Sequence, residues 1–101
     1  MLIGAPKEIK NSEYRVGLTP TAVREYVARG HSVLVQTGAG LGAGYADEVF
    51  VRAGATIAPD AAAVFEGAEL IVKVKEPQAV EWARLTERHI LFTYLLSLIH
   101  I

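Results

Sequence analysis

The run ELIVKVK, residues 69–75, decides the fold. After Glu69 it is apolar and partly β-branched over residues 70–72, it has strand length, and glycine and proline stand close by on either side. It reads as the strongest strand in the chain. Working back from it, PDAAAVFEGA reads as a helix that Pro59 or Asp60 opens, ATIA as a short strand, and ADEVFVRAG as a helix ending at Gly54. Before these, SVLVQ (residues 32–36) is a strand. A further helix has Thr19 as N-cap, Pro20 as its first residue, Val23, Tyr26 and Val27 at helical spacing, and Gly30 at its C-terminal cap. LIGAP opens the chain as a strand, and KEIKNSEYRVGL follows as a long polar loop. Beyond residue 75, PQAVEWARL starts a helix after Pro77 and HILFTYL (residues 89–95) is another apolar run of strand length. Strands alternating with helices predict an α/β domain, a mainly parallel sheet with helices on both faces.

The 101 residues suit one small domain and are short for a complete two-substrate enzyme. A hydrophobic fraction of 51% with 21% charged residues describes a globular chain with a well-supplied core. The formal net charge of −1, without a basic run, argues against nucleic acid and anionic membrane as partners. No cysteine is present, which removes disulfides, thiolate metal sites and a cysteine nucleophile, and suits a cytoplasmic location. MLIGAPKEIK reaches proline and charge too early for a signal peptide or membrane span, so Met1 reads as a true start.

GAGLGAG, residues 38–44, raises the question of a nucleotide site. Gly38, Gly40 and Ala43 fit G-x-G-x-x-A after a strand, and Asp60 lies roughly 20 residues on, where a ribose-binding acid belongs. That fingerprint needs a helix to start inside the motif, and here helix signals begin only after Tyr45. Gly42 and Gly44 would also weaken a first helical turn by about 1 kcal/mol each relative to alanine. The stretch therefore reads as a glycine-rich surface loop, a lid or wall of a site.

In VKVKEP, Lys73 and Lys75 alternate with valines, which places both on one face at the carboxyl end of a strand, the edge where open α/β sheets bind ligands. Arg15 lies in the loop leaving the carboxyl end of the first strand, so it should reach the same edge as Lys75. A guanidinium can grip a carboxylate with two hydrogen bonds, and an ammonium can polarise a carbonyl. Together they suit a small anionic acid. The plainer alternative stays open: Arg15 is a solvated loop residue and the lysines end a strand by reaching water.

PKEIKNSEYRVGLTP, GHSVLVQTGAGLGAGY, KVKEP and LFTYL occur in the order and approximate spacing of the N-terminal region of alanine dehydrogenase, and the resemblance covers the chain to Leu95. The wider family includes the nucleotide-binding subunit of proton-translocating NAD(P) transhydrogenase, which the first strand and the LTP helix start also resemble. KVKEP followed by LFTYL looks more like the alanine enzyme. The resemblance implies an incomplete substrate domain over residues 1–95, from an oxidoreductase that converts L-alanine, NAD and water to pyruvate, ammonium and NADH. It implies that NAD sits on a separate Rossmann domain outside these residues, so that GAGLGAG belongs to the substrate domain. By the same resemblance Arg15 holds the substrate carboxylate and Lys75 binds pyruvate and polarises its keto oxygen. Lys73 has no matched role. A homo-hexamer is implied for the full enzyme. Fixed positive charge is useful there because charge grows on the oxygen during reaction.

The departure from the family follows LFTYL, where the pattern places a histidine as general acid and base and this chain has Leu96, which carries no proton. His100 is displaced by four residues, roughly 13 Å along a strand. His31 and His89, near strand starts, belong at the opposite edge. The tail LSLIHI (residues 96–101) is expected to be a truncated or misread end outside the family sequence. Such a fragment is expected to be inactive alone. Two other functions stay open: the equivalent piece of a transhydrogenase alpha subunit, and a non-catalytic anion- or nucleotide-binding module built around GAGLGAG.

Overall fold

The computed structural model describes residues 1–94 and the backbone of residues 97–100; Leu95, Leu96 and Ile101 lie outside the described residues, and with Leu96 the expectation of a lost histidine. The first strand, β1 (Leu2–Ala5), runs into a long loop over residues 6–19. Helix α1 (Pro20–Ala28) begins as the sequence predicts: the Thr19 hydroxyl oxygen accepts the Ala22 N–H, and Gly30 follows the helix with φ of 91°. β2 (Ser32–Gln36), α2 (Asp47–Ala53), β3 (Thr56–Ala58) and α3 (Ala61–Gly67) come next. They are followed by β4 (Leu70–Lys73), the short α4 (Ala79–Trp82), β5 (Ile90–Thr93) and β6 (Ser97–His100).

The sheet order is β3-β2-β1-β4-β5-β6. All neighbours are parallel except β5 and β6, which run antiparallel with His100 opposite Ile90 and Ser97 opposite Thr93. This is the doubly wound order of Rossmann-type sheets. Strand order reverses beside β1: β2 pairs with one edge of it and β4 with the other. The loops after β1 and β4 therefore leave the same edge of the sheet and part to either side, which opens a crevice.

Both faces are packed, so the strands are apolar along their length. Ile3, Ala5, Val33, Val35 and Val72 join Val23, Phe50 and Ala53 in one core beneath α1 and α2. Ile71, Leu91 and Ala58 pack with Val64 and Phe65 of α3 and with Ala68, which follows it, in the other. Successive residues of each strand thus serve opposite cores, as pleating requires.

Three sequence expectations need correction. The strand expected over residues 69–75 ends at Lys73, because the carboxylate of Glu8 takes the backbone N–H groups of Val74 and Lys75 away from any ladder. The helix after Pro77 has only four residues, opened by a capping box between Gln78 and Glu81. The apolar run at residues 89–95 holds β5 over Ile90–Thr93, and the antiparallel β6 follows in the tail, where the sequence reading places no strand. Among the described residues no helix is long and apolar enough to cross a membrane.

Candidate functional site

The crevice beside β1 is built from three loops at the carboxyl edge of the sheet. The loop over residues 6–19 lies across β4 at Gly17, where an added Cβ would stand 2.3 Å from the carbonyl oxygen of Val72. Only glycine allows that approach. The Tyr94 hydroxyl donates to the Gly17 carbonyl from the far side of β4, so the loop is fixed from two directions.

Beneath the crevice lies a buried ion cluster. Lys73 has a side chain 1% exposed, with Nζ 3.0 Å from Glu8 Oε1 and 3.2 Å from Glu81 Oε2. A lysine in a sheet covered on both faces must find carboxylates, since an unpaired buried charge is prohibitively costly. The reading in which it snorkels to water does not hold for Lys73. Glu8 also accepts from Val74 N at 3.1 Å and Lys75 N at 3.2 Å. Glu81 completes the cluster while accepting the Gln78 N–H, which ties the start of α4 to it. The polar cluster thereby fixes the backbone from which Lys75 projects.

Above it, Arg15 and Lys75 do come together, around a residue that sequence reasoning overlooked. Glu13, with a side chain 3% exposed, accepts from Arg15 Nε and Nη2 at 2.9 Å each and from the Arg15 backbone N–H. Lys75 Nζ lies 3.9 Å from the same carboxylate. The hydrogen bonds from the Arg15 guanidinium hold the Glu13 carboxyl at about 2; burial opposes this, and the Arg15 backbone N–H and the charges of Arg15 and Lys75 add to it. One carboxylate between two cations leaves a single net positive charge. The Arg15 side chain is 64% exposed, and Glu13 engages one edge of its fork, so Nη1 and the second Nη2 hydrogen point away from that contact.

A concave pocket of ≈ 310 Å³ opens over this group, with Lys7, Glu13, Arg15, Gly38, Leu41 and Gly42 in its wall. Lys75 is not in that wall and meets Glu13 from the β4 side. The alternation that set Lys73 and Lys75 on one face stops where the strand stops.

GAGLGAG forms part of the wall without a helix N-terminus: it holds a single 3₁₀ turn (Leu41–Ala43), and α2 starts only at Asp47. The Gly38 N–H donates to Asp47 Oδ1 at 2.9 Å, so a carboxylate already stands where a phosphate would be expected. Gly42 lets the loop touch the Tyr14 backbone, where a Cβ would lie 2.7 Å from its carbonyl oxygen. Asp60 caps α3, accepting the Ala63 N–H at 2.9 Å, which gives its carboxylate a local structural role. These residues do not fit a dinucleotide.

The histidines stand where the strand starts predict. His31 precedes β2 and lies 3.3 Å from the N-terminal amine. His89 is 1% exposed, accepts the Thr86 N–H at Nδ1 and donates through Nε2 to the Phe65 carbonyl, which occupies both ring nitrogens. His100, opposite Ile90, is placed by its backbone at that same amino edge. Among the described residues no group of three or more His, Asp or Glu side chains gathers as a metal site would.

The family described as "Alanine dehydrogenase/PNT, N-terminal domain" matches residues 4–99. The chain belongs to this family. Within the alanine dehydrogenase/PNT family, an alanine dehydrogenase of Halomonas elongata is 59% identical over 95 residues, covering 94% of this chain and 26% of the relative. That of Bacillus subtilis is 50% identical over 95 residues, covering 94% and 25%. A solved L-alanine dehydrogenase superposes with a TM-score of 0.89 at 50% identity, covering 93% of this chain and 26% of the other. A transhydrogenase from Sinorhizobium meliloti superposes with a TM-score of 0.85 at 29% identity, over 92% and 27%. The chain thus spans about a quarter of the length of the family members it matches.

Proposed function

We propose that this chain is the substrate-binding part of an alanine dehydrogenase, residues 1–95 forming an incomplete substrate domain and NAD being held by a separate domain of the whole protein. The observation that carries the reading is the convergence of Arg15 and Lys75 on one carboxylate at the sheet's switch point, with a net positive charge beside an open pocket. The free edge of the Arg15 fork takes the carboxylate of pyruvate or L-alanine. Lys75 directs its ammonium at the keto oxygen, where negative charge develops as ammonia adds to the carbonyl carbon. A nicotinamide held by the separate domain would supply the hydride. The 59% identity to one alanine dehydrogenase against 29% to the transhydrogenase favours the amino-acid enzyme over a hydride-exchanging subunit. A cytoplasmic homo-hexamer belongs to this reading.

The test uses the full-length protein, with NADH oxidation followed in pyruvate and ammonium. Arg15→Met should raise KM for pyruvate about tenfold to a hundredfold, the worth of a charge-assisted bidentate contact. Lys75→Ala should lower kcat by about a hundredfold or more. Hydride exchange between nucleotides that survives Lys75→Ala, with no pyruvate-dependent rate in the parent, would establish the transhydrogenase reading instead. Sequencing the source DNA across the codons for residues 95–101 tests the tail: a histidine codon after Leu95 supports a misread end, and Leu96 with a stop after Ile101 excludes it.

A further inference from the structure

We infer that Glu13 is a specificity-determining residue: its fixed negative charge sets the pocket to accept an acid with one carboxylate and to reject one with two. The inference rests on the alanine dehydrogenase reading, which assigns the ligand but gives Glu13 no part. Three observations carry it. Glu13 lines the pocket, yet its side chain is 3% exposed and is held by three hydrogen bonds from Arg15, so its charge cannot swing out to water. It stands between the two cations, 2.9 Å from Arg15 Nε and 3.9 Å from Lys75 Nζ, and cancels one of them. It occupies one edge of the Arg15 fork, which leaves a second edge of the size of one carboxylate.

A monocarboxylate entering this group brings it to neutrality. A second carboxylate on the ligand would meet Glu13 with no cation left over, since Lys10 is engaged with Glu76 and Lys73 with Glu8 and Glu81. Lys7 also lines the pocket, but the buried group of Lys73 with Glu8 and Glu81 holds two carboxylates against one ammonium, and its excess negative charge offsets Lys7. Like charges a few ångströms apart in a partly desolvated site discriminate by about tenfold or more. Arg15 alone would have no such preference: without Glu13 the site would present two uncompensated cations, a match for a dicarboxylate.

The experiment compares two inhibitors of nearly equal shape, malonate and its monomethyl ester, as competitors of pyruvate on the full-length protein. The parent should bind the monoester more tightly. Glu13→Gln, close in size but uncharged, should shift the ratio of the two inhibition constants toward malonate by about tenfold or more. Glu13→Asp, which keeps the charge, should hold the parent's preference even where a shorter reach raises KM. Calorimetric titration with both inhibitors gives the same ratio for any variant too slow to assay. If Glu13→Gln weakens both inhibitors equally, Glu13 merely orients Arg15 and the inference is overturned. An unchanged ratio overturns it as well. Absence of pyruvate-dependent activity in the parent would instead overturn the alanine dehydrogenase reading itself, so the two failures are distinct.

Discussion

Nζ of Lys73 lies 3.0 Å from Oε1 of Glu8, and both side chains are 1% exposed. This contact joins the loop after β1 to the end of β4, the two segments that carry Arg15 and Lys75. With Glu81 also at 3.2 Å, removing the lysine charge would strand two carboxylates in the interior. Lys73→Met is therefore expected to destabilise the protein by about 3–5 kcal/mol. Replacing Glu8 by Gln in the same molecule should restore part of that loss. Urea unfolding of the two single variants and the double variant gives the coupling, and strict additivity would contradict the cluster.

Gly17→Ala puts a methyl group against the Val72 carbonyl, where 2.3 Å separates the two, and the neighbour is backbone that cannot turn aside. The expected loss is about 1–3 kcal/mol, seen as a lower Tm. The same variant should raise KM for pyruvate in the full protein, because the displaced loop carries Arg15. A Tm equal to the parent's would show that the loop does not rest on β4.

Acid should weaken the fold through Glu13. Its carboxyl is lowered from 4.5 to about 2, chiefly by the side-chain hydrogen bonds of Arg15. A depressed carboxylate stabilises the folded state above its unfolded value, and that contribution is lost as pH falls from about 4.5 toward about 2. Asp47, held below its ordinary range first by the Thr37 hydroxyl and then by the Gly38 N–H, works in the same direction. Glu13→Gln should accordingly flatten the fall in unfolding free energy between about pH 5 and pH 2 without abolishing it. A slope identical to the parent's would dissociate Glu13 from Arg15.

Asp60 gives a test of the glycine motif. As the N-cap of α3 it accepts the Ala63 N–H, so Asp60→Ala should cost about 1 kcal/mol of stability. It should leave the affinity of the full protein for NAD unchanged. A marked loss of NAD affinity would return the ribose role to Asp60.

The fold was legible wherever a residue's role is local. Thr19 and Pro20 announce α1, Gly54 closes α2 with φ of 113°, and SVLVQ is β2 to the residue. Arg15 and Lys75 could be brought to one edge because parallel order alone sets which end of each strand its loop leaves. Glu8, Glu13 and Glu81 could not be found in this way. Glu8 and Glu13 look like solvated loop charges in KEIKNSEYR, Glu81 looks like an exposed charge on a short helix, and Lys73 stands 65 residues from Glu8. One signal was present. A lysine inside the apolar run LIVKV demands a buried carboxylate, and the loop after β1 offers two glutamates at the correct edge. The early end of β4 has the same cause, because a side chain and not a strand captures its last N–H groups.

The central place of β1 in the sheet also orders events in time. β1 pairs with β2, about 30 residues downstream, but its other edge stays bare until β4 has been synthesised. Through that interval Arg15 and Glu13 are both present in the chain, while Lys73 and Lys75 have not been made. The pocket's cationic balance is thus a late product of chain growth, because its second ammonium enters only with the residues that follow β4.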